Sequence, residues 1–171
     1  GQSIEKAHKL LIETGIWDVT KNPYPTRFGF SFDSAKEQLG HLPDEERFLV
    51  PCTCYAIDDE NAADPDDAVG FDGEYFWICI ADPAASVLPD SSIDVAAMGR
   101  GTTLYIPEGA SRMLCESSLE EYALGLLNPS KALGFKIKVS EDCQIVDCEI
   151  LKVLVNVEMI SYKSAEKKKD S

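Results

Sequence analysis

Histidine is almost missing from this sequence and basic residues are few: its 171 residues include 2 His and 16 Lys plus Arg, against 30 Asp plus Glu, for a formal net charge of −14. His8 and His41 lie far in sequence from any cysteine pair, so the tight Cys/His spacing of a zinc site is lacking. The shortage of cations argues against a chain that grips nucleic acid by its own charge, because such proteins neutralise phosphates with Lys and Arg. No apolar run is long enough to cross a bilayer, since the strongest, Phe48 to Ile57, is too short and carries Pro51. The first residues do not show the charged-then-apolar order of a secretory signal. The acidic run after Ile57 has neither the sixth-position glycine nor the terminal glutamate of an EF-hand loop, which excludes that calcium module. Six cysteines, at 52, 54, 79, 115, 143 and 148, allow three disulfides in a secreted protein. Cys52 and Cys54 lie two apart in an extended segment and so share a face, and Cys79 sits within an apolar run. Reduced thiols acting as small apolar side chains in a cytoplasmic protein are the simplest reading.

What the sequence does hold is concentrated acid. Between Asp58 and Asp67 there are six acidic side chains in ten residues, led in directly by the apolar run Phe48 to Ile57. Like charges about 5 Å apart repel by roughly 3 kcal/mol per pair at an effective dielectric near 20, so converging carboxylates call for cations or water. Magnesium suits such a set, since it takes hard oxygen ligands, needs few carboxylates, and completes its shell with water and substrate phosphate. On composition alone a solvated acidic loop is the commoner outcome of such a run.

The hydrophobic pattern predicts an amphipathic helix from Ser3 to Thr14, with Ile4, Ala7, Leu10 and Leu11 on one stripe and Gly15 as its stop. A loop or connector over Trp17 to Pro43 follows, so that residues 1–47 form a helical lead-in with a Pro/Gly-rich connector and residues 48–171 the main body. Strands are predicted at Phe48 to Ile57, Tyr75 to Asp82 and Thr102 to Ile106, with Asp72-Gly73 as the turn between the first two. Ser91 or Ser92 caps a helix running through Ala97, with Asp94 near the capping-box position. Ser118-Leu119-Glu120-Glu121 fits a capping box that opens a helix ended by Asn128-Pro129. Phe135 to Val139 and Gln144 to Val155 then pair around Ser140-Glu141-Asp142, and Lys167-Lys168-Lys169 reads as a solvated tail.

Further motifs accompany the acid. Ala56-Ile57-Asp58 is followed by Asp64 and by Asp66-Asp67-Ala68-Val69. Downstream come Ile78-Cys79-Ile80-Ala81-Asp82, Arg100-Gly101-Thr102-Thr103-Leu104-Tyr105-Ile106-Pro107 and Met113-Leu114, and upstream stand Gly15-Ile16-Trp17-Asp18 and Asn22-Pro23-Tyr24-Pro25-Thr26-Arg27-Phe28-Gly29. In order and spacing these blocks resemble the ribonuclease II and ribonuclease R family, specifically the first half of its RNB catalytic domain with the lead-in segment. The resemblance implies an α+β fold with a mixed, mainly antiparallel sheet flanked by helices. It implies a magnesium-dependent 3′-to-5′ exoribonuclease that hydrolyses single-stranded RNA to nucleoside 5′-monophosphates, with manganese as a possible substitute and no membrane partner. Asp58, Asp64, Asp66 and Asp67 are then the carboxylates that bind the metal or position the attacking water, with Asp66 the most sensitive. Tyr105 stacks on the terminal nucleotide, Tyr162 lies near its sugar, and Arg100 contacts phosphate or fixes the following turn. Pro65, Pro83 and Cys115 depart from the family's usual residues. The family's later glutamate, its phosphate-clamping arginine and its flanking oligonucleotide-binding barrels have no counterpart here, so the remainder of a catalytic domain is expected in a longer protein, and this stretch alone is expected to be nearly inactive. The alternative is a non-catalytic RNB-like RNA-binding protein in which the aspartates persist without hydrolysis.

Overall fold

Along each strand of the main body small side chains alternate with large ones, and it is the small ones that face inward. In the computed structural model, which describes residues 3–40, 45–60 and 62–169, five strands close into a barrel: β1 (Phe48–Asp58), β2 (Asp67–Phe71), β3 (Phe76–Ala81), β6 (Ser130–Val139) and β7 (Ile145–Ser161), in that order around the wall. Four neighbouring pairs are antiparallel, and β7 closes on β1 in parallel, with Ile57 opposite Ile160 and Asp58 opposite Ser161. A second, two-stranded sheet joins β4 (Leu104–Ile106) to β5 (Gly109–Ser111). The helices are α1 (Ile4–Glu13), α2 (Tyr24–Arg27), α3 (Ser92–Arg100), α4 (Leu119–Tyr122) and α5 (Tyr162–Lys169). The α+β class with a mainly antiparallel sheet is therefore the observed one.

A five-stranded barrel has a narrow interior, and only small side chains fill it without strain. Cys54, Ala56, Ala68, Cys79, Ala81 and Ala132 are buried there together with Val153 and Val155. Leu124 also packs in this core, and Trp77 is its largest member. Its ring stacks on Phe48 at 5.7 Å between centroids, and its Nε1–H donates to Asp72 at 2.8 Å, so its polar edge is satisfied. The outward face of β2 and β3 carries Val69, Phe71, Phe76, Ile78 and Ile80, each 38–52% exposed. The wall thus presents a contiguous apolar surface, larger in side-chain volume than its own core lining.

Several expected elements change. Asp72-Gly73 does turn the chain, but it joins β3 to β2, a strand that the aspartate motif concealed. The connector contains α2, started by Pro25 inside its first turn. The third helix is capped by Ser91, whose hydroxyl accepts the Asp94 N–H, and it continues past Ala97 to Arg100. The Asp94 carboxylate accepts the N–H of Asp90 rather than that of the cap residue. The S-x-x-E helix is only four residues long. Ser118 lies in a preceding 3-10 turn with no side-chain cap, and the chain leaves the helix at Ala123 so that Leu124 enters the core. Strands β6 and β7 are both longer than their periodicity suggests, and Lys167 belongs to α5 rather than to a free tail. The stripe of α1 is mostly exposed, with Ile4, Ala7 and Leu10 all facing solvent. His41, Pro43 and Ser171 lie outside the described residues.

The cysteines carry no disulfide: Cys52, Cys54, Cys79, Cys115, Cys143 and Cys148 are all free thiols, and Cys54 Sγ lies 4.0 Å from Cys79 Sγ. Burial pushes the Cys52 thiol up to about 11. Gly70 in β2 faces these sulfurs; a Cβ there would lie 2.7 Å from Cys54 Sγ and 3.0 Å from the Thr53 carbonyl oxygen. Gly70→Ala is accordingly expected to destabilise by about 1–3 kcal/mol, the usual cost of overpacking. Gly99→Ala, in helix α3 with open space around its Cα, is expected to gain about 0.5–1 kcal/mol. Thermal unfolding of both variants beside the wild type checks the pair, and equal melting temperatures for Gly70→Ala and wild type would contradict the packing described for the barrel.

Candidate active site

The segment between β1 and β2 is pinned by two backbone bonds. The Leu124 N–H donates to the Pro65 carbonyl at 2.9 Å, and the Ala81 N–H donates to the Asp66 carbonyl at 2.7 Å. Pro65 is buried, and the hydrogen bond at this residue runs through its carbonyl, which proline keeps. Pro83 opens the 3-10 turn Pro83–Ser86, a position where a missing N–H costs nothing. Both departures are thus compatible with the backbone around the acid.

Asp58, Asp64 and Asp66 line one open groove of about 720 Å³ together with Tyr105, Ser161, Tyr162 and Lys163. Asp64, Asp66 and Tyr105 also border an adjoining cavity of about 410 Å³ that reaches Thr103, Met113 and Tyr122. The tyrosine side chains stand out from the surface, Tyr105 at 64% and Tyr162 at 58% exposure, so their rings are available for stacking rather than committed to the core. Asp67, the first residue of β2, is exposed and does not line the groove. Arg100 is not brought to it either. Its Nη1 donates to Ser111 Oγ at 3.2 Å, and it borders a separate cavity near Gly29 and Ser31.

Although the Asp66 side chain reaches solvent, crowding by protein atoms raises its carboxyl above the ordinary range. The charges of Asp64, Asp67 and Asp58 push in the same direction and Arg112 opposes them. Asp64 is the carboxylate with partners: its Oδ2 accepts the Tyr105 hydroxyl at 2.8 Å and also pairs with the Arg112 guanidinium. Partial desolvation and the bond to Asp64 hold the Tyr105 phenol above its usual range. Asp58 accepts the N–H of Asp59 at 2.7 Å. Among the described residues no three His, Cys, Asp or Glu side chains are gathered closely enough to grip an ion as they stand. The donor set nonetheless fits magnesium in kind, being carboxylates alone on an open groove with room for water and phosphate.

Sequence reasoning missed Arg112, Lys163 and Tyr122. Arg112 immediately precedes the Met113-Leu114 block, but no acidic cluster neighbours it in sequence, and its partner Asp64 lies 48 positions away. Lys163 follows Tyr162, so the placement of one implies the other. Tyr122 borders only the adjoining cavity, and nothing near it in sequence marks it.

The pattern that defines the RNB domain matches residues 47–170. The chain is 29% identical over 154 residues to an uncharacterized ribonuclease of Synechocystis sp., an alignment covering 81% of this chain and 23% of that protein. A crystal structure of the Dss1 exoribonuclease from Candida glabrata superposes with a TM-score of 0.72 at 18% identity, covering 99% of this chain and 26% of that one. Yeast Ssd1, described as a pseudonuclease, superposes with a TM-score of 0.65 at 17% identity, covering 81% and 19%. The chain therefore spans about a quarter or less of the length of these proteins.

A carboxyl raised in the folded state contributes stability that is fully present below the unfolded carboxyl range and is lost as pH rises through the raised value. Above that raised value the ionised Asp66 is thus a net cost to the metal-free fold. Asp66→Asn is expected to raise the melting temperature slightly at pH 7 in chelator, with the difference shrinking as pH falls into the carboxylate range. Scanning calorimetry across that range is the check, and a variant less stable than wild type at pH 7 would refute the crowding.

Proposed function

The chain belongs to the RNB domain family of ribonucleases, and on that premise we propose that it contributes the acidic half of a magnesium-dependent exoribonuclease acting 3′ to 5′ on single-stranded RNA, releasing nucleoside 5′-monophosphates. The observation that carries this reading is the convergence of Asp58, Asp64 and Asp66 with the exposed rings of Tyr105 and Tyr162 on one groove. Bound magnesium, with manganese as a substitute, would supply a water nucleophile at neutral pH and neutralise charge on the phosphate. The chain's own residues do the rest. Asp58, Asp64 and Asp66 hold the cations and orient water, while Asp67 adds negative charge from the start of β2. Tyr105 stacks on the terminal base, which every base permits because every base has a π-face. Tyr162 lies close to the sugar, where a 2′-hydroxyl separates RNA from DNA. Lys163, on the same groove, meets the phosphate backbone. The outward apolar face of β2 and β3 suits cover by the remainder of a catalytic domain. A cytoplasmic location belongs to the same proposal; no helix among the described residues is long and apolar enough to cross a membrane.

One observation favours the alternative, a non-catalytic RNB-like RNA-binding protein: Arg112 already sits on Asp64 and supplies a positive charge where a cation would. The two readings part on turnover. In the full-length protein, 5′-labelled single-stranded RNA is expected to shorten from its 3′ end when magnesium is present, and binding without shortening in either magnesium or manganese would favour the alternative.

Two variants sharpen this. Asp66→Asn is expected to abolish turnover while RNA affinity stays close to wild type, because stacking and backbone contacts persist. Tyr105→Ala is expected to weaken binding by about 1–3 kcal/mol or to change the length of the final product. Paired gel assays and binding titrations at one salt concentration, with circular dichroism to confirm folding, read out both; cleavage by Asp66→Asn at the wild-type rate would remove that residue from the catalytic set.

A further inference from the structure

Arg112 follows β5, and its backbone is fastened by the connector on both sides. Its N–H donates to Ser34 Oγ at 3.1 Å, and its carbonyl accepts the Ala35 N–H at 3.1 Å. Its side chain is only 12% exposed, so packing rather than solvent sets its direction, and that direction ends on Asp64 Oδ2. The same oxygen accepts the Tyr105 hydroxyl, which leaves it committed to two donors. A divalent ion approaching the cluster meets a guanidinium already on one of its ligands, and two cations cannot share that oxygen without repulsion. The planar fork of a guanidinium also matches the oxygens of a phosphate.

We propose that Arg112 is a built-in counter-cation that gates the aspartate cluster: it holds Asp64 until an RNA phosphate draws the guanidinium away, so that divalent metal and phosphate bind cooperatively. Arg112 thus places a positive charge on the carboxylate cluster without an ion, where among the described residues no three such side chains are gathered closely enough to grip one. The inference rests on the cation site proposed above. Because coupling between two ligands is reciprocal, phosphate must tighten metal binding by the factor by which metal tightens phosphate binding.

The test is a titration of the full chain with Mn²⁺, followed by the electron paramagnetic resonance signal of the free ion at constant ionic strength, with and without uridine 5′-monophosphate as a phosphate that is not consumed. In the wild type, the nucleotide is expected to tighten Mn²⁺ binding roughly fivefold or more, within the usual range of coupling. Arg112→Gln is expected to bind Mn²⁺ more tightly by a similar factor without nucleotide, and to lose the nucleotide effect. Arg112→Lys, which keeps the charge but not the fork, is expected to fall between the two, and it decides the matter if circular dichroism shows Arg112→Gln to be unfolded. Mn²⁺ binding unchanged or weakened in the folded Arg112 variants overturns the gate. If Asp66→Asn nevertheless abolishes the wild-type Mn²⁺ site, the exoribonuclease reading stands and the gate alone falls. If neither wild type nor Arg112→Gln has an Mn²⁺ site sensitive to Asp66→Asn, both fall.

Discussion

Closure of the barrel depends on the parallel pairing of β1 with β7, and the site inherits its geometry from that register. With Asp58 opposite Ser161, the residue after Ser161 begins α5 beside the end of β1, which puts Tyr162 and Lys163 on the groove of the first aspartate. The other wall comes from the loop held between Leu124 and Ala81, which carries Asp64 and Asp66 to the same rim. A shift of one residue in the β1–β7 pairing would turn alternate side chains from one face to the other. Small interior residues such as Ala56, Ala68 and Gly70 are part of the same constraint, since bulkier ones would spread the strands that hold this register.

Much of this was legible locally. The apolar run of β1, the acid that follows it, the Ser91 cap and the Asp72-Gly73 turn each carry their signal within a few residues. β2 was hidden because its five residues include two acceptable loop formers, Asp67 and Gly70, and because pairing with β1 and β3 makes a strand of them. The opening of β6, Ser130 to Gly134, has weak strand propensity on its own; barrel closure selects it for small volume, not for shape. The S-x-x-E segment shows the reverse failure. Its local signature is good, yet the burial of Leu124 and the bond from its N–H to Pro65 take the chain out of the helix after one turn. Of the groove, Asp58, Asp64, Asp66 and Tyr105 stand in the motif blocks, Tyr162 followed only from the family resemblance, and Asp67 does not line it. Arg112 was not legible, because an ion pair to a residue 48 positions away leaves no trace in sequence.

The polarity of the barrel wall follows from the same geometry. When an interior accepts only small side chains, the large apolar residues of an alternating strand are left on the outside. Val69, Phe71, Phe76, Ile78 and Ile80 are therefore only half-buried within this chain, and the rest of their favourable transfer from water depends on whatever else packs there. A wall built this way ties the stability of the site to its neighbours, because β2 and β3 supply both the outer apolar face and, at their ends, Asp67 and the Ala81 amide that pins Asp66.

Charge sets the remaining constraint. Of the 16 basic side chains, Arg47 is buried against Asp82 and Glu45 and Arg112 pairs with Asp64, while Lys152 pairs with Glu45 and Lys138 with Glu74 at the surface, so part of the scarce positive charge is committed within the chain. A polyanion approaching the groove meets Asp58, Asp59, Glu60, Asp64 and Asp66 with Lys163 as the lysine on its lining. Fixed charge thus works against the proposed RNA ligand at the very place where the exposed rings of Tyr105 and Tyr162 would stack on it. Stacking is short-ranged and insensitive to salt, whereas repulsion between exposed charges extends over about 10 Å at 0.1 M ionic strength. Under the proposed gate, this balance is set by cations that come with the ligand or by Arg112 released from Asp64, which would make admission of a strand and neutralisation of the aspartates a single electrostatic event.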